Sequence, residues 1–228
     1  HLVLLYKDAK KIITPLVYFI SASLKRNEKC IYIKGKTDIK LIKRTLKSNI
    51  DKYDQYLKSG QLQFLSKEHT YAKNNKFHAD KMIKLLQKES EKAIDEGYSA
   101  LSITGELSGV LNFPKGKKEI IEYEWKLNER VFNEYPIIAM CKYNIDEFPD
   151  EVIKAVIELH PYIVINEEIH ENPYFVEANA YKNNEVSKYE IKSWLNNISD
   201  YTKVKSKFHK KIKKQEKKYE ILFNKIND

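Results

Sequence analysis

Six short apolar runs punctuate the first 165 residues: Leu2–Tyr6, Lys29–Ile33, Leu62–Leu65, Ala100–Thr104, Ile137–Tyr143 and Tyr162–Ile165. They are nearly continuous rather than alternating, so each reads as a strand buried on both faces, as in parallel sheets. Parallel neighbours need crossover connections, and helical patterns fill the gaps at about 10–25, 37–48, 79–96, 118–133 and 149–159. The first shows Ile12, Ile13, Leu16, Phe19, Ile20 and Leu24 at helical spacing. The third carries Met82, Leu85, Leu86 and Ala93 and closes at Gly97, a natural left-handed cap. Asp146 to Pro149 breaks the chain before the fifth helix, and Pro161 follows it. The expected fold is α/β: a single doubly wound, mostly parallel sheet with helices on both faces, over residues 1–178.

Beyond about residue 186 the pattern changes. Ile191, Trp194, Ile198, Tyr201, Phe208, Ile212, Tyr219, Leu222 and Ile226 follow three- and four-residue steps, once Lys205 and Gln215 are admitted as polar members. That register predicts a C-terminal amphipathic helix over 187–228. It fits a self-associating helix or coiled-coil linker, a helix packed on its own domain, or a nucleic-acid arm. The first is preferred, and a homodimer with it. Of the net charge of +9, residues 203–228 carry +7, so the body is nearly neutral. Basicity therefore gives no reason to expect nucleic-acid binding by the body.

No apolar run approaches the roughly 20 residues that span a bilayer. No secretory signal opens the chain, and a cytoplasmic location without membrane attachment is expected. It begins with His1 rather than Met, so a natural start further upstream is expected. Cys30 and Cys141 sit inside apolar runs and read as buried thiols.

The turn after the first run, Tyr6-Lys-Asp-Ala-Lys-Lys-Ile12, contains no glycine. A phosphate-wrapping P-loop needs one, and the dinucleotide fingerprint is missing as well. No nucleophile elbow, HExxH or paired Cys/His metal spacing occurs, so no enzyme, cofactor or metal site is expected. Polar groups stand out at the end of the fourth run, at Thr104, Gly105 and Glu106, where open α/β sheets bind ligands. Glu124 and Asn128, four apart, share one face of a helix. As structural alternatives, Glu106 caps a tight turn and Glu124 is an exposed charge paired with Arg130 or a lysine. Of six scattered histidines (1, 69, 78, 160, 170, 209), His160 stands out, lying between an apolar helix and a strand. Tyr123, Tyr143 and Tyr174 suit an apolar pocket with a few polar groups.

The ordered motifs His1-Leu-Val-Leu-Leu-Tyr6, Glu28-Lys-Cys-Ile-Tyr-Ile33, Ser59-Gly-Gln-Leu62, Glu96-Gly-Tyr98, Ile103-Thr-Gly-Glu106, Tyr123-Glu124 with Leu127-Asn128, Cys141-Lys-Tyr143, His160-Pro161 and Asn172-Pro-Tyr174 resemble the MEDS domain. That is the methanogen/methylotroph, DcmR-type sensory domain. The resemblance covers roughly residues 1–178. It implies a RecA/KaiC-like core that has lost its nucleotide loop. It also implies a non-catalytic signal-input role, with a small organic ligand and an output module or partner regulator in transcription or histidine-kinase signalling. The ligand-binding candidates are Thr104, Gly105, Glu106, Glu124, Asn128, Tyr143 and His160. The chain departs from the family pattern at Ser108-Gly109, where tryptophan is usual, and at Ser102, where arginine is usual. A degenerate KaiC-like nucleotide-binding or assembly module is the alternative.

Overall fold

Strands apolar on both faces must lie between two helical layers. The computed structural model, which describes residues 1–35, 37–66, 77–183 and 185–226, shows this arrangement. Seven strands form one sheet in the order β3-β2-β4-β5-β1-β6-β7. They are β1 Leu2–Tyr6, β2 Lys29–Ile33, β3 Leu62–Leu65, β4 Leu101–Glu106, β5 Ile137–Asn144, β6 Tyr162–Ile165 and β7 Glu168–Glu171. β1 to β6 pair in parallel. All six expected strands form, and β4 runs on through Gly105 and Glu106.

The seventh strand carried no apolar signal. Glu168-Ile-His-Glu171 is exposed along its length and pairs antiparallel with β6. Asn166 and Glu167, both at positive φ, make the two-residue turn of this hairpin without a glycine.

The helices are α1 Ile13–Lys25, α2 Ile39–Asn49, α3 Tyr53–Ser59, α4 Ala79–Asp95, α5 Gly116–Arg130, α6 Asp150–Glu158, α7 Ala178–Lys182 and α8 Val186–Ile226. A 3-10 turn, Ala9–Ile12, leads into α1. The short α3 and α7 were not expected, since few of their residues face a core. α4 ends at Gly97, whose φ of 86° is the left-handed closure expected there.

Alternation along the strands feeds two separate cores. Val3, Ile31, Ile103, Ala139 and Ile163 face Met82, Leu86, Ile120, Leu127, Val152 and Val156 of α4, α5 and α6. Leu4, Cys30, Tyr32, Met140 and Val164 face Leu16, Ile20, Ile42, Leu46 and Tyr53 of α1, α2 and α3. Every buried polar residue on a strand therefore belongs to one core or the other.

The chain divides into two compact units, His1–Asn184 and Glu185–Asp228. The second is α8, helical as expected. Ile191, Trp194, Leu195, Ile198, Val204 and Ile212 are half or more exposed on it. Tyr201, Phe208, Tyr219, Leu222 and Ile226 of the heptad pattern have side chains outside the described ones, as His69 lies outside the described residues. Among the described residues, no helix is long and apolar enough to cross a membrane.

One contact locks α5 to the turn before it. A Cβ on Gly116 would lie 2.1 Å from the Val110 carbonyl oxygen. The obstacle is backbone, so Gly116→Ala is expected to cost about 1–3 kcal/mol by overpacking. A urea midpoint unchanged in that variant would mean that the turn at 108–112 moves aside freely.

Candidate functional site

Helix α5 buries Ile120, Tyr123, Glu124 and Leu127, so a carboxylate occupies a position where helical spacing calls for an apolar side chain. Glu124 is fully buried. The sheet meets it with Cys141 and Tyr143, two apart on β5 and therefore on one face. Two histidines come from the residues just before β1 and β6, adjacent parallel strands with Leu2 opposite Tyr162. His1 precedes the first and His160 the second.

These groups converge on one carboxylate. Tyr143 Oη donates to Glu124 Oε1 at 2.5 Å. The other oxygen, Oε2, lies 3.6 Å from His1 Nε2, 3.6 Å from His160 Nε2 and 3.9 Å from Cys141 Sγ. Cys141 Sγ is 3.6 Å from His1 Nε2. The two imidazoles pack with centroids 3.8 Å apart, and His1 also stacks on Phe132.

Each histidine is oriented from behind. His160 Nδ1 lies 2.7 Å from the Val156 carbonyl, which makes that nitrogen the donor and leaves Nε2 bare. His160 Nε2 is buried without a hydrogen-bond partner. His1 Nδ1 lies 3.3 Å from Asn128 Oδ1, and the Asn128 amide donates to the Leu159 carbonyl at 2.7 Å.

Of the residues expected at a site, Glu124, Asn128, Tyr143 and His160 thus come together. Glu124 is neither exposed nor paired with Arg130, which bonds Glu129 and Asp80 instead. Thr104 and Glu106 belong to the opposite face of the sheet. Thr104 donates to the Met140 carbonyl. Glu106 is buried and accepts from the Ser108 and Thr37 side chains. Beside it, the fully buried Lys142 donates to Tyr32 Oη at 3.0 Å. Burial drives the Lys142 ammonium down to about 8, and Glu106 works against that shift. Gly105 faces the first core, where a Cβ would come within 3.2 Å of Ile33.

The departures from the family pattern also have partners. Ser108 holds Glu106, and Ser102 donates to Glu28, itself paired with Arg26.

Sequence reasoning missed His1 and Cys141 as members of the constellation. The two-residue offset of Cys141 and Tyr143 on one strand was the available signal.

A small cavity of about 40 Å³ lies beside this cluster, walled by Ile33, Met82, Leu86, Ile103 and Ala139 and reaching Cys141 and Tyr143. Thr104, Gly105 and Glu106 also line it where β4 passes. Holding one water takes roughly 10–15 Å³ of such space, so the cavity suits a molecule of few heavy atoms.

Residues 1–161 match the family model described as MEthanogen/methylotroph, DcmR Sensory domain. The transcriptional repressor DcmR of Methylorubrum extorquens is 27% identical over 126 residues, which cover 55% of this chain and 43% of the repressor. The match thus spans less than half the length of that relative. Among solved structures, the uncharacterized protein PH0321 of Pyrococcus horikoshii, in complex with an unknown peptide, aligns with a TM-score of 0.53. It is 15% identical, over 74% of this chain and 80% of that one. The KaiC-like protein PH0186 of the same organism aligns at 0.49 and 12% identity, over 71% and 68%. At such identity the PH0321 likeness concerns the fold alone.

Burial pushes Glu124 up to about 7, against the opposing hydrogen bonds from Tyr143 and Cys141. Burial also drives His160 down to about 3. The unfolded chain ionises its glutamate first, near 4.5, so the Glu124 contribution to stability falls as pH rises from there to about 7. The unfolded histidine keeps its proton up to about 6.5, so the His160 contribution rises with pH from about 3 to 6.5. Between about 4.5 and 6.5 the two cancel. Glu124→Gln removes one side of that balance and keeps an acceptor for Tyr143. In chelator-containing buffer its stability, relative to the parent, is expected to rise by about 3 kcal/mol across that window. Denaturant titrations at several pH values check this, and a difference independent of pH would refute the assignment.

Proposed function

The chain belongs to the MEDS family, the methanogen/methylotroph, DcmR sensory domains, and from that premise we propose a non-catalytic signal-input domain for a very small organic compound. The compound sits in the cavity beside Cys141 and Tyr143, and the domain passes its state through α8 to a regulatory output. A sensory role is what the family and the repressor relative have in common. The observation that carries the finer reading is the cavity. Drug-sized ligands occupy roughly 300–1,000 Å³, whereas this partly open cavity offers about 40 Å³, lined by mostly apolar side chains.

The nucleotide-binding alternative is the weaker one. In the loop after β1, Asp8 accepts from the Lys10 amide at 2.9 Å, so a side-chain carboxylate already occupies an amide that a phosphate would seek.

The compound class is testable by thermal shift with one- and two-carbon halides, alcohols, aldehydes and amines. A ligand at a hundredfold excess over its Kd stabilises by about 2.7 kcal/mol, a shift of several degrees for a domain of this size. Ala139 lines the cavity, and Ala139→Val is expected to abolish the shift while leaving the fold intact. The absence of any stabilising compound in the panel, or equal binding by bulky analogues and by the variant, would sink the reading.

The output arm of the proposal rests on α8. Ile191, Trp194 and Leu195 are 54%, 53% and 63% exposed along one helix, an apolar stripe that calls for a cover. A second copy of the same helix supplies one, with lysines outside. Sedimentation velocity is expected to show a dimer for the full chain and a monomer for Ile191→Glu/Trp194→Glu. An unchanged dimer in the variant would place the interface elsewhere.

A further inference from the structure

Among the described residues, one group of three or more His, Cys, Asp and Glu side chains brings its donor atoms together: His1, Glu124, Cys141 and His160, all within 4.8 Å of one another. We propose that these four residues bind a single divalent cation of the zinc class, four-coordinate, between α5 and the sheet.

Distances separate this reading from a plain hydrogen-bonded cluster. Nitrogen and oxygen partners in a hydrogen bond stand about 2.7–3.2 Å apart. Both His Nε2 atoms stand at 3.6 Å from Glu124 Oε2, outside that range. The sulfur contacts, at 3.6 and 3.9 Å, are weak bonds at best. Where Glu124 does make a hydrogen bond, to Tyr143, the separation closes to 2.5 Å. Zinc–ligand bonds of roughly 2.0–2.3 Å place the corners of a tetrahedron roughly 3.3–3.8 Å apart. Four of the six donor–donor edges, at 3.6–3.9 Å, lie at or just beyond that range, and all six are within 4.8 Å, so a shared central atom needs a modest contraction of the group.

Orientation points the same way. Metal-bound imidazoles hold their other nitrogen in a hydrogen bond that fixes the tautomer. His160 does so through Val156 and His1 through Asn128, while Tyr143 ties back the second oxygen of Glu124. His160 Nε2 is left as a buried lone pair aimed at the group, with no hydrogen-bond partner.

Charge selects the cation. One carboxylate and one thiolate balance a divalent ion, and two neutral imidazoles add nothing. A buried site of zero net charge avoids the penalty of an unpaired ion. Imidazole nitrogen, thiolate sulfur and carboxylate oxygen are all zinc ligands, and four protein donors would close a tetrahedral site. On uptake, Cys141 gives its proton to solvent as the metal–sulfur bond forms. Glu124 releases one too in whatever fraction was protonated.

The inference goes beyond the organic-ligand reading and does not require it. Its test is metal alone, so either can fail without the other. The full chain is stripped with chelator and titrated with Co²⁺, then displaced with Zn²⁺. The expected result is one equivalent bound, with a thiolate-to-cobalt charge-transfer band and intense tetrahedral d–d bands, both abolished by Zn²⁺. Cys141→Ser is expected to lose the charge-transfer band, while Cys30→Ser, on the other face of the sheet, keeps it. Asn128 acts as a positioning residue: Asn128→Ala is expected to weaken binding about 10–100-fold with the spectral shape retained. Glu124→Gln, which removes a buried charge and so does not depend on metal to fold, is expected to weaken it by a larger factor. Failure of the parent to bind one equivalent, a spectrum without the thiolate band, or undiminished binding in Cys141→Ser would each overturn the proposal.

Discussion

A carboxylate at a core position of a helix has to be compensated inside the protein, and Glu124 draws its neighbours from three further segments. Tyr143 and Cys141 come from β5, His1 from the entry to β1, and His160 from the entry to β6. Parallel pairing of β1 with β6 and of β1 with β5 makes that meeting unavoidable once the sheet forms. The desolvation that lifts Glu124 to about 7 is the same force that drives His160 to about 3. His160 is therefore neutral and Glu124 only partly ionised near pH 7, so neither supplies the other with a full counter-charge.

Strand β5 serves both faces of the sheet in consecutive residues. Cys141 and Tyr143 point to the Glu124 side, while Lys142 between them points to Tyr32 and the neighbourhood of Glu106. Period-two alternation turns three adjacent side chains into two polar sites separated by the sheet. The region after β1 is closed by Asp8, which caps a short 3-10 turn.

Much of this was legible in the sequence. Continuous apolar runs gave the parallel strands, and helical spacing gave the major helices, because burial on two faces leaves a compositional trace. The hairpin strand β7 left none, being exposed throughout and turned by Asn166-Glu167 rather than by a glycine pair. The candidate site was half visible. Glu124, Asn128, Tyr143 and His160 were legible as polar residues in apolar settings. Their separation from Thr104 and Glu106 was not, since a sequence does not say which face of a sheet a loop-distal helix will cover. His1 and Cys141 were hidden because their spacing from Glu124 and His160 fits no local ligand motif. Only strand register brings them together.

The cavity and the cluster share Cys141 and Tyr143 as a common wall. On the proposed sensory reading, a compound in the cavity meets the two side chains that contact Glu124. Very small ligands gain at most about 1.5 kcal/mol per heavy atom, so three atoms supply up to roughly 4–5 kcal/mol. Leaving one buried polar group unsatisfied costs about 1–3 kcal/mol, and more if it is charged. The two magnitudes are of the same order, with the ligand slightly ahead. A guest of a few atoms is therefore large enough to shift the Tyr143–Glu124 contact. It is also small enough that the sheet and α5, each anchored by a full apolar core, stay in place while it does so.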